Sequence, residues 1–235
     1  MESYEDDEYC KVVLIGESGV GKTSIIGRFF NGMFEESLMS TNGASYVNRN
    51  LTFSEYGNRL VRFEIWDTAG QEQYRSLNQI FYKDASICIL VYDITNIKSF
   101  NALREYWIKE IKEACPKQII LGLAANKCDL DDKEQVEEKT ARDFANEINA
   151  IFMYTSAARS VGIDELFHNV GCKYIDPNYK FDQSSITDKN NDMKNNNSEN
   201  NSNKKTKKEK NKKIKLDEKE HKKRENKKKC CQNKK

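Results

Sequence analysis

The sequence predicts an α/β fold: a mostly parallel six-stranded sheet with one antiparallel edge hairpin and helices on both faces. Three observations carry this. Apolar runs alternate along the chain with stretches whose apolar residues recur at helical spacing, the pattern of strands and helices in turn. Two runs, "SICILVYD" and "QIILGLAANK", are continuously apolar, as strands buried on both faces are. One pair, "NLTFSEY" and "RLVRFEIWD", alternates instead and is joined through Gly-Asn, a hairpin signature. Ligands of such sheets sit at the carboxyl ends of the strands, so functional residues are expected in the loops that follow strands.

In chain order, "KVVLI" (11–15) is a first strand that runs into a glycine-rich turn and then into "KTSIIGRFF", whose apolar spacing suits a helix. The hairpin pair follows. "SICILVYD" is the next strand, and after it Phe100, Leu103, Trp107 and Ile111 fall at helical spacing. "QIILGLAANK" and "AIFMYTS" supply the last two strands. Ile163, Leu166, Phe167 and Val170 mark a final helix, which Pro177 should close.

The chain has 235 residues and a formal net charge of +2, which conceals a dipolar distribution. From Lys189 onward there are 19 Lys and Arg against 7 Asp and Glu, a net +12, leaving −10 on residues 1 to 188. Eight of the fourteen residues from Asn190 to Asn203 are Asn, and the remainder is almost all Lys, Glu and Asn. Such a segment has little apolar surface to offset ordering entropy and is expected to be disordered. The expected organisation is therefore an acidic extension (1–9), a globular domain (10–176) and a tail (177–235).

The acidic start, "MESYEDDEYC", lacks the basic and apolar regions of a secretory signal, and Glu2 excludes N-myristoylation. The longest apolar run, "ICILVY", is too short to cross a bilayer. Cys10, Cys88, Cys115, Cys128 and Cys172 are scattered singly, without a disulfide framework or a zinc spacing. Reduced thiols are expected.

"GESGVGKT" (16–23) matches G-x-x-x-x-G-K-[ST] in full, after a strand and before a helix. Glycines let successive backbone N–H groups converge on phosphate oxygens; Lys22 supplies a point charge for the β and γ phosphates, and Thr23 offers a hydroxyl to Mg²⁺. "NKCD" (126–129) resembles the N-K-x-D guanine motif. The Asp129 carboxylate can accept from both N1–H and the exocyclic amine of guanine, a donor pair that adenine lacks. "TSA" (155–157) resembles the loop whose backbone approaches the base carbonyl. "WDTAGQE" (66–72) closes the second hairpin strand: Asp67 is placed to hold Mg²⁺ through water, Gly70 to offer its N–H to the γ-phosphate, and Gln71 to orient the attacking water. A P-loop ATPase or nucleotide kinase is the competing reading of the first motif alone, and Asp129 opposes it.

With these motifs in order from about Cys10 to Tyr174, the chain resembles a small GTPase of the Ras superfamily, and within it the Rab family. The resemblance implies a P-loop NTPase G domain and a GTP hydrolase with a slow intrinsic rate that needs an activating protein. It implies GTP/GDP and Mg²⁺ as ligands. Nucleotide contacts are implied at Gly16, Ser18, Gly19, Val20, Gly21, Lys22, Thr23, Ser24, Phe34, Thr41, Asp67, Gly70, Asn126, Lys127, Asp129, Ser156 and Ala157. Thr23, Thr41 and Asp67 would serve the metal, and Gln71, Thr41 and Gly70 the hydrolytic step. Tyr46, Trp66 and Phe81 occupy the positions of the Rab aromatic triad, whose structural alternative is plain core packing. "STNGASY" looks like the Rab switch I, although Asn42 stands where an aliphatic residue is usual, and "NGASY" leans toward the endosomal branch. Ser18 replaces a Ras-type glycine, and "TSAA" lacks the lysine that often follows.

The ending "KKKCCQNKK" resembles the paired cysteines that Rab proteins carry for geranylgeranyl groups, here Cys230 and Cys231. Two lipids, or one with a polybasic stretch, anchor stably where one alone does not. Four residues follow Cys231, one more than a C-a-a-X box allows. The implied partners are an exchange factor, a GTPase-activating protein, a GDP-dissociation inhibitor or escort protein, effectors, and the cytoplasmic face of an intracellular membrane reached through the prenylated tail. From Lys189 onward the tail lacks aromatic residues for base stacking, so no specific nucleic acid is expected. The alternative from another class is a GTP-binding scaffold with negligible turnover whose basic tail is an interaction module.

Overall fold

Six strands pair in the order β2-β3-β1-β4-β5-β6, with β2 and β3 antiparallel and every other neighbouring pair parallel. They are β1 (Glu8–Ile15), β2 (Ala44–Phe53), β3 (Arg59–Thr68), β4 (Ile87–Asp93), β5 (Ile120–Asn126) and β6 (Ala150–Tyr154). The helices are α1 (Lys22–Asn31), α2 (Ile97–Ala102), α3 (Ile108–Ala114), α4 (Glu138–Glu147) and α5 (Ile163–Ile175). This computed structural model describes residues 8–35, 44–68, 81–115 and 119–182. Thr41, Asn42, Gly70, Gln71, Cys230 and Cys231 lie outside the described residues.

The period of two in the strands sorts the core into two layers. On one face Val13, Ile15, Cys88, Leu90, Tyr92, Leu121, Leu123 and Phe152 join Phe100, Leu103, Trp107 and Ile111 of the α2–α3 region and Phe144 of α4. On the other face Gly122 of β5 lies against Leu166 and Val170 of α5, and a Cβ there would approach each to 3.3 Å. Phe29 of α1 stacks on Phe167 of α5, with centroids 3.8 Å apart. All seven residues of β4 are buried, which is why its text is continuously apolar. The hairpin turn uses Gly57 and Asn58 at φ 71° and 60°, the left-handed region that Gly and Asn tolerate best.

Two features depart from the expected elements. The helix after β4 contains a π-helical segment, Leu103–Trp107, between α2 and α3. Phe100, Leu103, Trp107 and Ile111 are all buried, so the helical spacing identifies the right face but not the turn that the π geometry widens. Helix α4 has only a narrow apolar stripe to announce it. Among its ten residues Ala141, Phe144 and Ala145 are buried, and the rest are polar or charged.

Candidate functional site

The glycine-rich turn joins β1 to α1, and its glycines are required by space as well as by backbone angle. A Cβ on Gly16 (φ 146°) would lie 2.2 Å from the Val91 carbonyl oxygen, and one on Gly21 (φ 97°) would lie 2.4 Å from Asn126 Nδ2. Val20 is buried between them, whereas Ser18 and Gly19 face solvent and Ser24 is half-buried in the first turn of α1. Lys22 is buried, and its ammonium donates to the carbonyls of Gly16 (2.9 Å) and Glu17 (3.0 Å). Burial pushes its pKa down to about 8, with Asp67 and Glu17 opposing.

The carboxyl end of β3 comes to the same place from a different direction. β1 and β3 are parallel neighbours in which Leu14 pairs with Asp67, and the Thr68 hydroxyl donates to the Leu14 carbonyl at 2.7 Å. This register sets Asp67, buried, within reach of the start of α1, where the Thr23 hydroxyl donates to its carboxylate at 2.7 Å. The pair is an all-oxygen donor set, the kind that hard cations such as Mg²⁺ take, and Thr23 and Asp67 are the described residues that could hold one here.

The loops after β5 and β6 interlock with the glycine-rich turn. Asn126 Nδ2 donates to the Val20 carbonyl at 2.7 Å, while Asn126 Oδ1 accepts from the Thr155 hydroxyl at 3.2 Å. Both residues are buried. Lys127 sits in the left-handed region (φ 64°) and pairs with Asp93 at 2.6 Å. The Ser156 hydroxyl donates to Asp129, and Cys128 N–H donates to the Thr155 carbonyl at 3.1 Å. Arg28 of α1 donates to the Ala157 carbonyl at 2.7 Å and lies over the Phe34 ring, 5.9 Å from its centroid. Phe34 is 38% exposed.

Four participants were not anticipated from the sequence. Asp93, at the end of β4, accepts from Thr95 N–H and hydroxyl at 2.8 and 2.7 Å as well as holding Lys127. Its position after a buried strand was the available signal. Thr155 belongs to "TSA", but nothing in that text marks its hydroxyl as the one that fixes Asn126. Arg28 and the Trp107 indole, which donates to Glu17 at 3.0 Å, bridge segments more than seventy residues apart and carry no local signature.

The three aromatics of the triad meet on the hairpin side. Tyr46 and Trp66 are register partners on β2 and β3 and stack with centroids 5.2 Å apart; Trp66 and Phe81 are 5.8 Å apart. Tyr46 is 57% exposed, which separates it from core aromatics.

Comparison with known proteins agrees with this geometry. The Ras family model matches residues 11–176. The chain belongs to the Ras family. It is 43% identical to human Ras-related protein Rab-22A over 157 residues, covering 67% of this chain and 79% of that protein. It is 42% identical to mouse Rab-31 over 160 residues, 68% of this chain and 80% of that protein. RabJ of Dictyostelium discoideum is 41% identical over 165 residues, 70% of this chain and 63% of that protein. Within the Ras family the chain is a Rab-like small GTPase, a GTP hydrolase that works as a GTP/GDP switch in vesicle trafficking. Guanine nucleotide is accordingly its ligand class, and regulators and effectors its partner class. No helix among the described residues is long and apolar enough to cross a membrane.

Proposed function

We propose that the interlocked loops form the guanine nucleotide site residue by residue. The supporting observation is the closure of three separate loops on one another through Asn126, Thr155 and Ser156. In this reading Asp129 accepts from the guanine edge, Phe34 and Lys127 flank the base, and Ser156 and Ala157 border its carbonyl. Backbone N–H groups from Gly16 to Ser24 cradle the phosphates at the start of α1, where the helix dipole also favours anions. Lys22 exchanges its two carbonyl partners for phosphate oxygens. Thr23, Thr41 and Asp67 hold Mg²⁺, which neutralises charge on the phosphates when bound.

Gly70 meets the γ-phosphate and Gln71 orients the water that attacks it. Order in the loops carrying Thr41 and Gly70 then follows the γ-phosphate, and the face made by Tyr46, Trp66 and Phe81 is read by effectors in that state. Cys230 and Cys231 are lipid acceptors, and the +12 segment from Lys189 onward is drawn to anionic lipid at roughly 1 kcal/mol per nearby basic residue. The compartment proposed is endosomal or another vesicular membrane, on the strength of "NGASY". An exchange factor, an activating protein and a GDP-dissociation inhibitor or escort protein complete the cycle. The domain boundaries proposed remain 1–9, 10–176 and 177–235.

Single-turnover GTP hydrolysis tests the switch. Gln71→Leu should lower the intrinsic rate at least ~10-fold without abolishing nucleotide binding. An unchanged rate favours the scaffold reading. Replacing Cys230 and Cys231 together with Ser should make the protein cytosolic with GTP binding intact. If that variant stays on membranes, or both thiols of the cellular protein are found free by mass spectrometry, the lipid role is wrong.

A further inference from the structure

On the side of the sheet edge formed by the hairpin, the turn after β2 meets α5. Glu55 lies in the short 3₁₀ turn Ser54–Tyr56, and His168 and Cys172 stand four residues apart on α5, hence on one helix face. Their ligating atoms all lie within 4.8 Å of one another. His168 Nε2 is 2.7 Å from Glu55 Oε1, Cys172 Sγ is 3.1 Å from the same oxygen, and Sγ and Nε2 are 3.5 Å apart. We propose that Glu55, His168 and Cys172 form a site for a zinc-class divalent ion that staples the β2–β3 turn to the carboxyl-terminal helix.

The geometry and the donor chemistry both point there. Zinc held tetrahedrally by a thiolate at ~2.3 Å and an imidazole nitrogen at ~2.0–2.1 Å keeps those two atoms about 3.6 Å apart, which Sγ and Nε2 already satisfy. Glu55 is 42% exposed and sits on a turn, so its carboxylate can swing out by the roughly 0.5–0.7 Å that tetrahedral zinc distances require. Thiolate, imidazole and carboxylate suit zinc, whereas Mg²⁺ prefers oxygen throughout. The His168 ring is held by stacking on Phe53, with centroids 5.3 Å apart, which fixes its orientation in advance. An open cleft of about 370 Å³ borders His168 together with Asp164 and Glu165, so the imidazole side of the cluster is reached from solvent past acidic side chains.

Binding has a proton balance. Burial, then Glu55, raise the Cys172 thiol to about 12, so the metal-free group is protonated at neutral pH. The sulfur–metal bond forms as the S–H bond breaks, and one proton passes to solvent per ion bound. The other titratable groups around the sulfur are Tyr56 from the turn, Asp176 at the end of α5, and Tyr179.

Cobalt(II) titration of the full-length, GDP-loaded protein in excess Mg²⁺ tests this. A near-ultraviolet thiolate-to-cobalt band with the visible intensity of four-coordination is expected at one ion per chain, lost on addition of Zn²⁺. His168→Ala and Glu55→Gln, both at exposed positions, should each weaken binding at least ~10-fold, as should Cys172→Ser. The double replacement of Cys230 and Cys231 by Ser should leave the band in place, which separates this site from the tail thiols. Absence of the band, or its survival in Cys172→Ser or loss in the tail variant, overturns the proposal.

Discussion

At the carboxyl ends of β5 and β6, Asn126, Thr155, Ser156 and Asp129 are tied to one another and to the glycine-rich turn by side-chain hydrogen bonds, most of them buried. On β2 and β3, Tyr46 and Trp66 meet as stacked rings, with Tyr46 largely in solvent. The first region is cross-tied: Asn126 reaches Val20 and Thr155, and Ser156 reaches Asp129, each across loops, and a buried group that loses its last partner costs about 1–3 kcal/mol. The second is held by contacts that tolerate rearrangement. A site that must reject a wrong base needs fixed donors and acceptors, whereas a face read in one nucleotide state and not the other needs freedom to repack.

The largest expected effect lies in the cross-tied region. Asp129→Ala should lower GTP affinity at least ~100-fold, because the guanine donors lose a charged acceptor in a site built around it. The domain should still fold, since Ser156 Oγ keeps the Arg159 N–H as a partner at 3.0 Å. Nucleotide dissociation rates, with circular dichroism as the control for folding, measure this. Equal binding of ATP and GTP by the wild type would break the comparison altogether, for the rigid corner would then have no base to read.

A middle-sized effect is expected from pH. Lys22 titrates near 8 in the nucleotide-free site against an ordinary 10.5, because burial disfavours its charge. Phosphate contacts restore the charged form, so nucleotide affinity is complete below pH 8 and falls as pH rises beyond it. Between pH 7 and pH 9 the loss should be about tenfold, with proton uptake on binding at pH 9. The sign for folding is the reverse: from about pH 8 to 10.5 the unfolded chain holds more protons, and the nucleotide-free fold gains stability. Calorimetry in buffers of different ionisation enthalpy reads the uptake. A flat profile would mean that Lys22 stays charged in its carbonyl cage.

Legibility in the sequence followed the same division. The glycine-rich turn, Asp67, Asn126 and Asp129 were readable because each must stand at a fixed offset from a strand end, and the offset is local. The strands were readable because burial on both faces leaves continuous apolar text. Arg28 with Ala157 and Lys127 with Asp93 were not, since an attachment across 129 or 34 residues leaves no spacing to detect. Helix α4 escaped because Ala141, Phe144 and Ala145 make too narrow a stripe, and the π-helical segment because it lengthens one turn without moving Trp107 off the buried face.

The smallest expected effect belongs to the hairpin face and decides whether its aromatics are packing or surface. Tyr46 is mostly exposed and stacks on Trp66, so Tyr46→Ala should cost no more than about 1 kcal/mol of stability, the worth of one aromatic pair. Trp66 is half-buried between Tyr46 and Phe81, with the Lys11 ammonium 5.1 Å from its ring, and Trp66→Ala should cost clearly more. Neither substitution touches the hydrogen bonds around Asn126, so GTP affinity should stay within about twofold of wild type at 25 °C for Tyr46→Ala. Urea denaturation and nucleotide off-rates, measured on the same preparations, give both quantities. If Tyr46→Ala destabilises the fold as much as Trp66→Ala, the exposed ring is part of the core and the face has no slack. If it spares both stability and nucleotide affinity while GTP-dependent capture of effectors is lost, the ring's exposure is what those partners use.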